Sequence, residues 1–314
     1  MEFLYVLESI RNPILDFLFS LITLCGEETV FMAIGMMVFW CIDKHRGYYL
    51  LCVGFLGTVI NQFLKMLCRV PRPWVKDPAF TIVESAREAA SGYSFPSGHT
   101  QTAVGLFGGI ARMTSRKWLR ISMIVLALLV ALSRMYLGVH TPADVLTSLA
   151  IATVLLLGFY PLFERARTSP KVMAAILFSF IGIMIVYLCF ILCYPFPEEV
   201  YAADAIHNLE SARKNGYTLL GCALGLPLIW AMDLKWTHFE TRASLPIQIL
   251  KTIGGLLLVV AVKEVLRVPI DAMFGGHLAA RSVRYFLMVV VGGGLWPMSF
   301  RYFSEIGHKK KMRL

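Results

Sequence analysis

The feature that most constrains this chain is a series of apolar runs, each long enough to cross a lipid bilayer as a helix. A hydrocarbon core of about 30 Å needs about 20 helical residues, and a helix satisfies its own backbone hydrogen bonds in lipid. The chain has 314 residues, of which 57% are hydrophobic and 16% charged. Soluble domains average about 45–50% apolar and about 25% charged residues. The sequence therefore predicts an all-α, polytopic helical membrane protein.

Ten spans are predicted after a short interfacial helix over the first eleven residues. They lie at 13–25, 29–42, 47–66, 98–113, 119–138, 144–163, 172–194, 216–232, 245–263 and 284–301. Asp16 interrupts the first of them. The first six spans contain the unusual polar residues, so we expect a six-helix core over residues 1–165. About four additional C-terminal helices would fill residues 166–314, and their role is open.

The distribution of Lys and Arg predicts the orientation. With a cytoplasmic N-terminus, the inner segments carry seventeen of these residues and the outer segments ten. Cytoplasmic loops carry the positive excess, which favours cytoplasmic N- and C-termini. The net charge of +10 follows from this topology, and no basic soluble region suggests nucleic acid as a partner. The compact layout favours a bacterial plasma membrane. The seven cysteines show no metal-binding spacing and are interpreted as free thiols.

The first polar cluster is KMLCRVPRPW, at the end of the third span. It carries Lys65 and, seven residues later, Arg72 between Pro71 and Pro73. The two prolines stop the helix and fix an extended turn. Cations at the end of a span either reach the membrane surface or face a polar site, and this cluster alone does not decide between them.

The second cluster is GYSFPSGHTQTA, which opens the fourth span. It places Ser97, Gly98 and His99 at a helix N-terminus, where free N–H groups attract anions. A serine that merely caps the helix is the alternative interpretation.

The third cluster is SRMYLGVHTPAD, between spans five and six. It contains Arg134, His140 and Asp144. An aspartate near a histidine can fix its tautomer and stabilise its charged form, and arginine suits phosphate oxygens. The predicted topology brings all three clusters to the outer membrane face. Together they predict a phosphate site with a histidine nucleophile.

The three clusters in this order resemble the three-part signature of the type 2 phosphatidic acid phosphatase family. The matching patterns are KxxxxxxRP from Lys65, PSGH from Pro96, and SRxxxxxHxxxD from Ser133. The resemblance covers about residues 13–163. It implies a metal-independent phosphoric ester or diphosphate hydrolase without a cofactor.

The resemblance also implies a role for each site residue. His140 would attack phosphorus and form a phosphohistidine, with Asp144 orienting it. His99 would protonate the leaving group and later activate water. The groups that would hold the phosphate oxygens are Lys65, Arg72, Ser97, Gly98 and Arg134.

A site at the membrane boundary suits a lipid substrate, such as phosphatidate, a prenyl diphosphate or a sphingoid-base phosphate. A soluble phosphorylated sugar stays open. Two other activities also stay open, a lipid phosphotransferase that uses the same histidine and a lipid transporter or flippase built on the same core.

Further residues have two interpretations each. Glu27 and Glu28 form either an exposed turn or part of the site. Lys263, Glu264 and Arg267 form either a local ion-pair cluster or a second binding site, together with His277 nearby. The glycine run 292–294 favours close helix packing or assembly into a homo-oligomer.

Overall fold

The structure, a computed structural model, describes residues 1–87, 90–201 and 205–303. These residues contain helices, turns and loops but no strand, as the all-α prediction requires. The main helices are α1 (Glu2–Ser9), α2 (Pro13–Leu24), α3 (Glu28–Cys41), α4 (Lys44–Cys68), α5 (Gly98–Ala103, continued by a π-helical turn at Val104–Gly108 and by Gly109–Met113), α6 (Lys117–Tyr136), α7 (Pro142–Ala166), α8 (Pro170–Cys193), α9 (Ile206–Met232), α10 (Leu245–Val265) and α11 (Ala279–Val290, continued by a π-helical turn at Val291–Leu295 and by Trp296–Met298). Each predicted span overlaps one helix from α2 to α11.

Seven helices within the described residues are long and apolar enough to cross a membrane, namely α4 and α6 to α11 with their extensions. The pair α2 and α3 is bent by 45° and makes an eighth crossing if it is one span. Their 12 and 14 residues correspond to about 18 and 21 Å of helix at 1.5 Å per residue. Neither alone covers about 30 Å of hydrocarbon. The two predicted spans therefore do not each make a full crossing.

The contacts of the N-terminal helix α1 bear on the predicted topology. Tyr5 donates a hydrogen bond to Asp77 over 2.7 Å, and Arg11 donates to the carbonyl oxygens of Thr81 and Tyr136, each over 2.9 Å. These partners belong to the loop after α4 and to the last residue of α6, the end where the phosphate-site clusters lie. The predicted placement of the N-terminus and the site on opposite membrane faces stays a prediction, which these contacts do not favour. That prediction counted α2 and α3 as two crossings, and merging them reverses the side of the N-terminus.

The chain divides into two compact units, each drawn from several stretches of sequence. The first unit comprises Met1–Gly35, Tyr49–Leu162 and Pro197–Leu209. The second comprises Met36–Tyr48, Phe163–Phe196 and the described residues from Glu210 onward. The division into residues 1–165 and 166–314 stays a prediction.

The glycine run in α11 contacts other helices of the second unit. A Cβ atom added to Gly292 would lie 2.8 Å from Val259 of α10, and one added to Gly294 would lie 2.7 Å from Met232 of α9. Such close approach is the use of small residues between membrane helices. The run thus serves packing within the chain, and a homo-oligomer stays a prediction.

Candidate active site

The loop after α4 presents Arg72 to two other loops. The helix ends at Cys68, Arg69 adopts a positive φ of 49°, and prolines flank Arg72 in an extended backbone. Its side chain is buried, with 6% exposed. The Nε and Nη2 groups donate to the carbonyl oxygens of Gly92 and Ser91, each over 3.0 Å. The guanidinium therefore fixes the segment that leads into α5.

The same guanidinium also contacts the histidine loop. Nη1 of Arg72 donates to the carbonyl oxygen of Val139 over 2.8 Å and lies 3.0 Å from Nε2 of His140. A permanently charged donor next to Nε2 favours a lone pair on that nitrogen. Lys65, near the end of α4, donates to the carbonyl oxygen of Tyr93 over 2.6 Å. Two cations thus hold the loop around the imidazole.

The N-terminus of α5 is capped by Ser97, which is fully buried. Its Oγ accepts from the amide of Thr100 over 3.4 Å and from the Thr100 hydroxyl over 2.9 Å. Its own amide donates to the main-chain carbonyl of Asp144 over 3.2 Å. Ser97 therefore acts here as a helix cap that ties α5 to α7, and its hydroxyl is engaged in that role. Gly98 begins the helix with a backbone that a ligand can approach closely.

His140 and Asp144 lie together in the turn that opens α7. Nδ1 of His140 is 3.4 Å from Oδ2 of Asp144 and donates no hydrogen bond in this arrangement. The carboxylate accepts instead from the Ser94 hydroxyl over 2.5 Å and from the amide of Thr141 over 2.8 Å. A small rotation of the imidazole would bring Nδ1 into hydrogen-bond range. The carboxylate is thus held in place behind the ring.

The environment of His140 keeps its imidazole neutral. The side chain is 2% exposed and lies in the connection between α6 and α7. Burial, followed by the charges of Arg72 and Arg134, lowers the pKa of His140 well below its usual range. A neutral imidazole has the lone pair that a nucleophile needs.

Arg134 is the third cation near this histidine, and it is 1% exposed. Nη1 donates to the Thr23 hydroxyl in α2 over 2.7 Å, whereas the buried Nε donates no hydrogen bond. Its main-chain carbonyl accepts from the amides of Val139 and His140 over 3.1 and 3.2 Å. Since a buried guanidinium with unused donors is costly, this arginine is prepared to receive an anion.

These groups surround a cavity of about 140 Å³ within the first unit. Its lining consists of Glu28, Thr58, Asn61, Gln62, Lys65, Arg72, Ser91, Gly98, His99, Gln101, Thr102, Arg134 and His140. Six of the eight predicted site residues therefore line one space. The other two, Ser97 and Asp144, are buried directly behind it. His99 faces the cavity from the first turn of α5.

The sequence interpretation missed several cavity residues that follow a simple pattern. Thr58, Asn61 and Gln62 precede Lys65 by seven, four and three positions on α4. This is the spacing of one helix face, and polar groups on one face of an apolar span indicate a polar interior site. No sequence pattern indicated Ser94 or Thr23. They form hydrogen bonds with Asp144 and Arg134, which are distant from them in the sequence.

Among the residues that the structure describes, no group of three His, Cys, Asp or Glu side chains could hold a metal ion. The charged groups around the cavity are mainly cations, which suits an anion rather than a metal.

Fold and site together define a helical membrane protein with a cationic cavity that contains two histidines. Comparison with known protein families identifies the family of this protein. Residues 46–168 match the PAP2 superfamily, and residues 217–308 match the transmembrane extension of PAP2 superfamily phosphatases. The chain belongs to the PAP2 superfamily, as the sequence resemblance predicted.

Several curated relatives are similar to this chain. Human sphingosine-1-phosphate phosphatase 2 is 24% identical over 253 residues, which is 79% of this chain and 58% of that protein. Its mouse counterpart is 24% identical over 76% of this chain and 65% of its own length. The chain therefore spans about three fifths of these two relatives. Undecaprenyl-diphosphatase BcrC of Bacillus subtilis is 30% identical over 161 residues, or 50% of this chain and 79% of that protein.

A solved structure, that of Aquifex aeolicus LpxE, is also similar. It is 23% identical and covers 50% of this chain and 91% of its own, with a TM-score of 0.44.

Proposed function

We propose that this protein is a membrane lipid phosphate phosphatase that works through a phosphohistidine at His140. The observation that carries the proposal is the position of Nε2 of His140, 3.0 Å from Nη1 of Arg72 on the wall of a cationic cavity. The family membership and the names of the relatives support the same class of reaction.

In the first step, Nε2 of His140 attacks phosphorus and the bond to the leaving oxygen breaks. His99, which is protonated when the anionic phosphate is bound beside it, gives its proton to the leaving oxygen. The lipid alcohol, or the lipid monophosphate in the case of a diphosphate, therefore departs neutral at this atom. Asp144 stabilises the positive charge that develops on the imidazole. Lys65, Arg72 and Arg134 bind the phosphoryl oxygens as their charge is redistributed.

In the second step, water attacks the phosphohistidine. His99, now neutral, takes a proton from the water, the P–N bond breaks, and inorganic phosphate and neutral His140 are released. The side chains supply all the charge neutralisation that the two steps need, so we propose a reaction without a metal ion.

The substrate proposed is a lipid with a phosphomonoester or diphosphate head group. The cavity of about 140 Å³ accommodates a phosphate group but not a long tail, which would remain in the surrounding lipid. The relatives' names suggest sphingoid-base phosphates and polyprenyl diphosphates as the first candidates.

We further propose that the site faces the extracytoplasmic side of the membrane. The Lys and Arg excess still lies on the opposite side after Arg11 is moved to the site face. A bacterial plasma membrane remains the proposed location.

The decisive experiment measures phosphate release from sphingosine 1-phosphate, phosphatidate, undecaprenyl diphosphate and glucose 6-phosphate in detergent. We expect His140→Ala to lose at least a thousandfold in rate on the preferred lipid, since no other residue replaces the nucleophile. His207→Ala, which changes an exposed histidine, is the matched control. The native protein should keep full activity in the presence of a metal chelator. Substantial turnover by His140→Ala, or exclusive use of the sugar, would refute the proposal.

A phosphohistidine is observable directly. We expect alkaline quenching of a reaction with 32P-labelled lipid to leave base-stable, acid-labile label on the native protein, and less of it on Asp144→Asn. His140→Ala should carry no label. Label that survives acid would indicate a different covalent intermediate.

A further inference from the structure

A second cavity within the described residues lies wholly in the second unit and has no residue in common with the catalytic cavity. Its volume is about 390 Å³, within the range of sites that bind small molecules. The lining residues are Lys214, Lys263, Glu264, Arg267, Asp271, Gly276, His277, Leu278, Arg281, Arg284 and Tyr285. They come from α9, the end of α10, the short helix Arg267–Met273 and the start of α11.

Cations outnumber carboxylates around this cavity. Five Lys and Arg side chains face two acidic ones. Lys263 lies 3.5 Å from Glu264, so part of the charge is neutralised as the sequence suggested. Arg267 and Arg281 have no carboxylate within ion-pair distance in the described part of the chain. An ion-pair cluster alone therefore leaves the cavity with excess positive charge.

Arg284 forms an ion pair with Asp271, yet this pairing leaves hydrogen-bond donors of its guanidinium unused. It is 5% exposed, and its Nε and Nη1 groups donate no hydrogen bond. The nearest carboxylate oxygen, on Asp271, is 3.6 Å from Nη1, which is too long for a hydrogen bond. Burying a guanidinium with unused donors is costly unless a ligand receives them. Because Arg284 lines the cavity, its unused donors lie at the cavity wall.

Two neighbouring contacts hold the cationic wall in position. Arg281 donates to the Thr218 hydroxyl of α9 over 3.1 Å. The guanidinium groups of Arg281 and Arg284 lie 5.8 and 5.9 Å from the ring centre of Tyr285. Arginines on one helix, with their planes supported by an aromatic ring, are suited to bind the oxygens of a phosphate.

We propose that this cavity is a second anion site, which binds a phosphate group without acting on it. The ligand chemistry is a phosphate or diphosphate, carried either by a lipid head group or by a free ion. Because the cavity lacks the paired histidines of the first unit, the bound phosphate would be retained rather than hydrolysed. Such a site would make the transmembrane extension responsive to the phosphate content of its surroundings.

The test counts bound ligands on the full-length protein by native mass spectrometry. One arm adds pyrophosphate to protein in detergent, and the other uses nanodiscs of phosphatidylcholine with or without phosphatidate. The variants are Arg284→Gln and, on the exposed rim, the pair Lys263→Gln and Arg267→Gln. Arg242→Gln, which removes an exposed arginine outside the cavity, is the matched control. Thermal unfolding verifies that each variant is folded.

We expect Arg284→Gln and the rim pair to lose one bound equivalent, or at least tenfold in affinity, with the control unchanged. A loss confined to the phosphatidate arm would identify a lipid head group, and a loss in the pyrophosphate arm would identify the free ion. If Arg284→Gln does not fold, the rim pair decides. Unchanged counts and affinities in both arms would overturn the proposal. The result does not depend on His140, so failure here leaves the phosphatase proposal intact.

Discussion

At the residue scale, the charged side chains of the candidate catalytic cavity are held by groups that do not line it. Ser94 and the amide of Thr141 bind Oδ2 of Asp144, and Thr23 binds Nη1 of Arg134. Each fixes a charged side chain whose geometry the proposed chemistry requires. Interactions with a buried charge contribute about 1.5–3 kcal/mol each, which is enough to affect the reaction rate.

Replacing Ser94 by Ala tests this arrangement. The variant removes the 2.5 Å hydrogen bond to Asp144, so the carboxylate becomes less well positioned behind His140. We expect kcat to fall about tenfold, equivalent to about 1.4 kcal/mol, with KM nearly unchanged. Ser148→Ala is the control, because the buried Ser148 hydroxyl donates to the main-chain carbonyl of the same aspartate. Equal effects of the two variants would mean that Ser94 only stabilises the fold.

Glu28 introduces a negative charge into a cavity that otherwise collects cations. A carboxylate disfavours a bare phosphate but suits a substrate that carries an ammonium group close to its phosphate, as sphingoid-base phosphates do. We expect Glu28→Gln to lower the preference for sphingosine 1-phosphate over phosphatidate by about fivefold, or about 1 kcal/mol. Specificity constants for the two lipids measure this ratio.

The control for this charge is Glu198→Gln, which removes an exposed carboxylate elsewhere in the first unit. An unchanged ratio in Glu28→Gln would show that the carboxylate does not contact the head group.

At the scale of elements, the bend between α2 and α3 positions two residues at the cavity, namely Thr23 and Glu28. Gly26 lies in this bend, where a Cβ atom would be 2.7 Å from Val130 of α6 and 3.0 Å from the carbonyl oxygen of His99. The close approach keeps Thr23 and Glu28 near the site. It also presses the bend against the first turn of α5, which carries His99.

We therefore expect Gly26→Ala to reduce activity at least tenfold, because the added methyl group must displace α6 or the His99 turn. Gly158→Ala in α7 is the matched control, since nothing lies within 4 Å of a Cβ atom added there. In a helix that substitution is neutral or stabilising by up to about 1 kcal/mol. Activity assays and thermal unfolding of both variants provide the measurement. Full activity of Gly26→Ala would show that the bend tolerates a side chain.

At the scale of the whole molecule, the number of crossings decides which segments share a membrane face. The contacts of Tyr5 and Arg11 place α1 beside the loop that contains Asp77 and Thr81. The N-terminus and this loop should therefore be accessible from the same side.

Labelling of intact cells or sealed vesicles tests this topology. In a background without the seven native cysteines, we expect Glu84→Cys and an N-terminal cysteine tag to react with a membrane-impermeant maleimide from the same side. If those two cysteines react without permeabilisation, a cysteine in place of Arg116, which lies between α5 and α6, should react only after permeabilisation. If Glu84→Cys and the N-terminal tag instead react from opposite sides, the result would support the ten-span arrangement.

The sequence alone determined the helical membrane class, because long apolar runs can be satisfied in lipid only by helices. It also identified Lys65, Arg72, His99, Arg134 and His140 as one group. Ionisable residues at the ends of membrane spans are energetically unfavourable unless they face a polar site, so several of them together indicate one site. The tertiary structure decided what local pattern does not encode. It bent α2 against α3 by 45°, brought Ser94, Thr23 and Glu28 to the site, and left Arg284 with unused donors in a second cavity. These outcomes depend on contacts between residues far apart in the chain, and helical periodicity carries no information about such contacts.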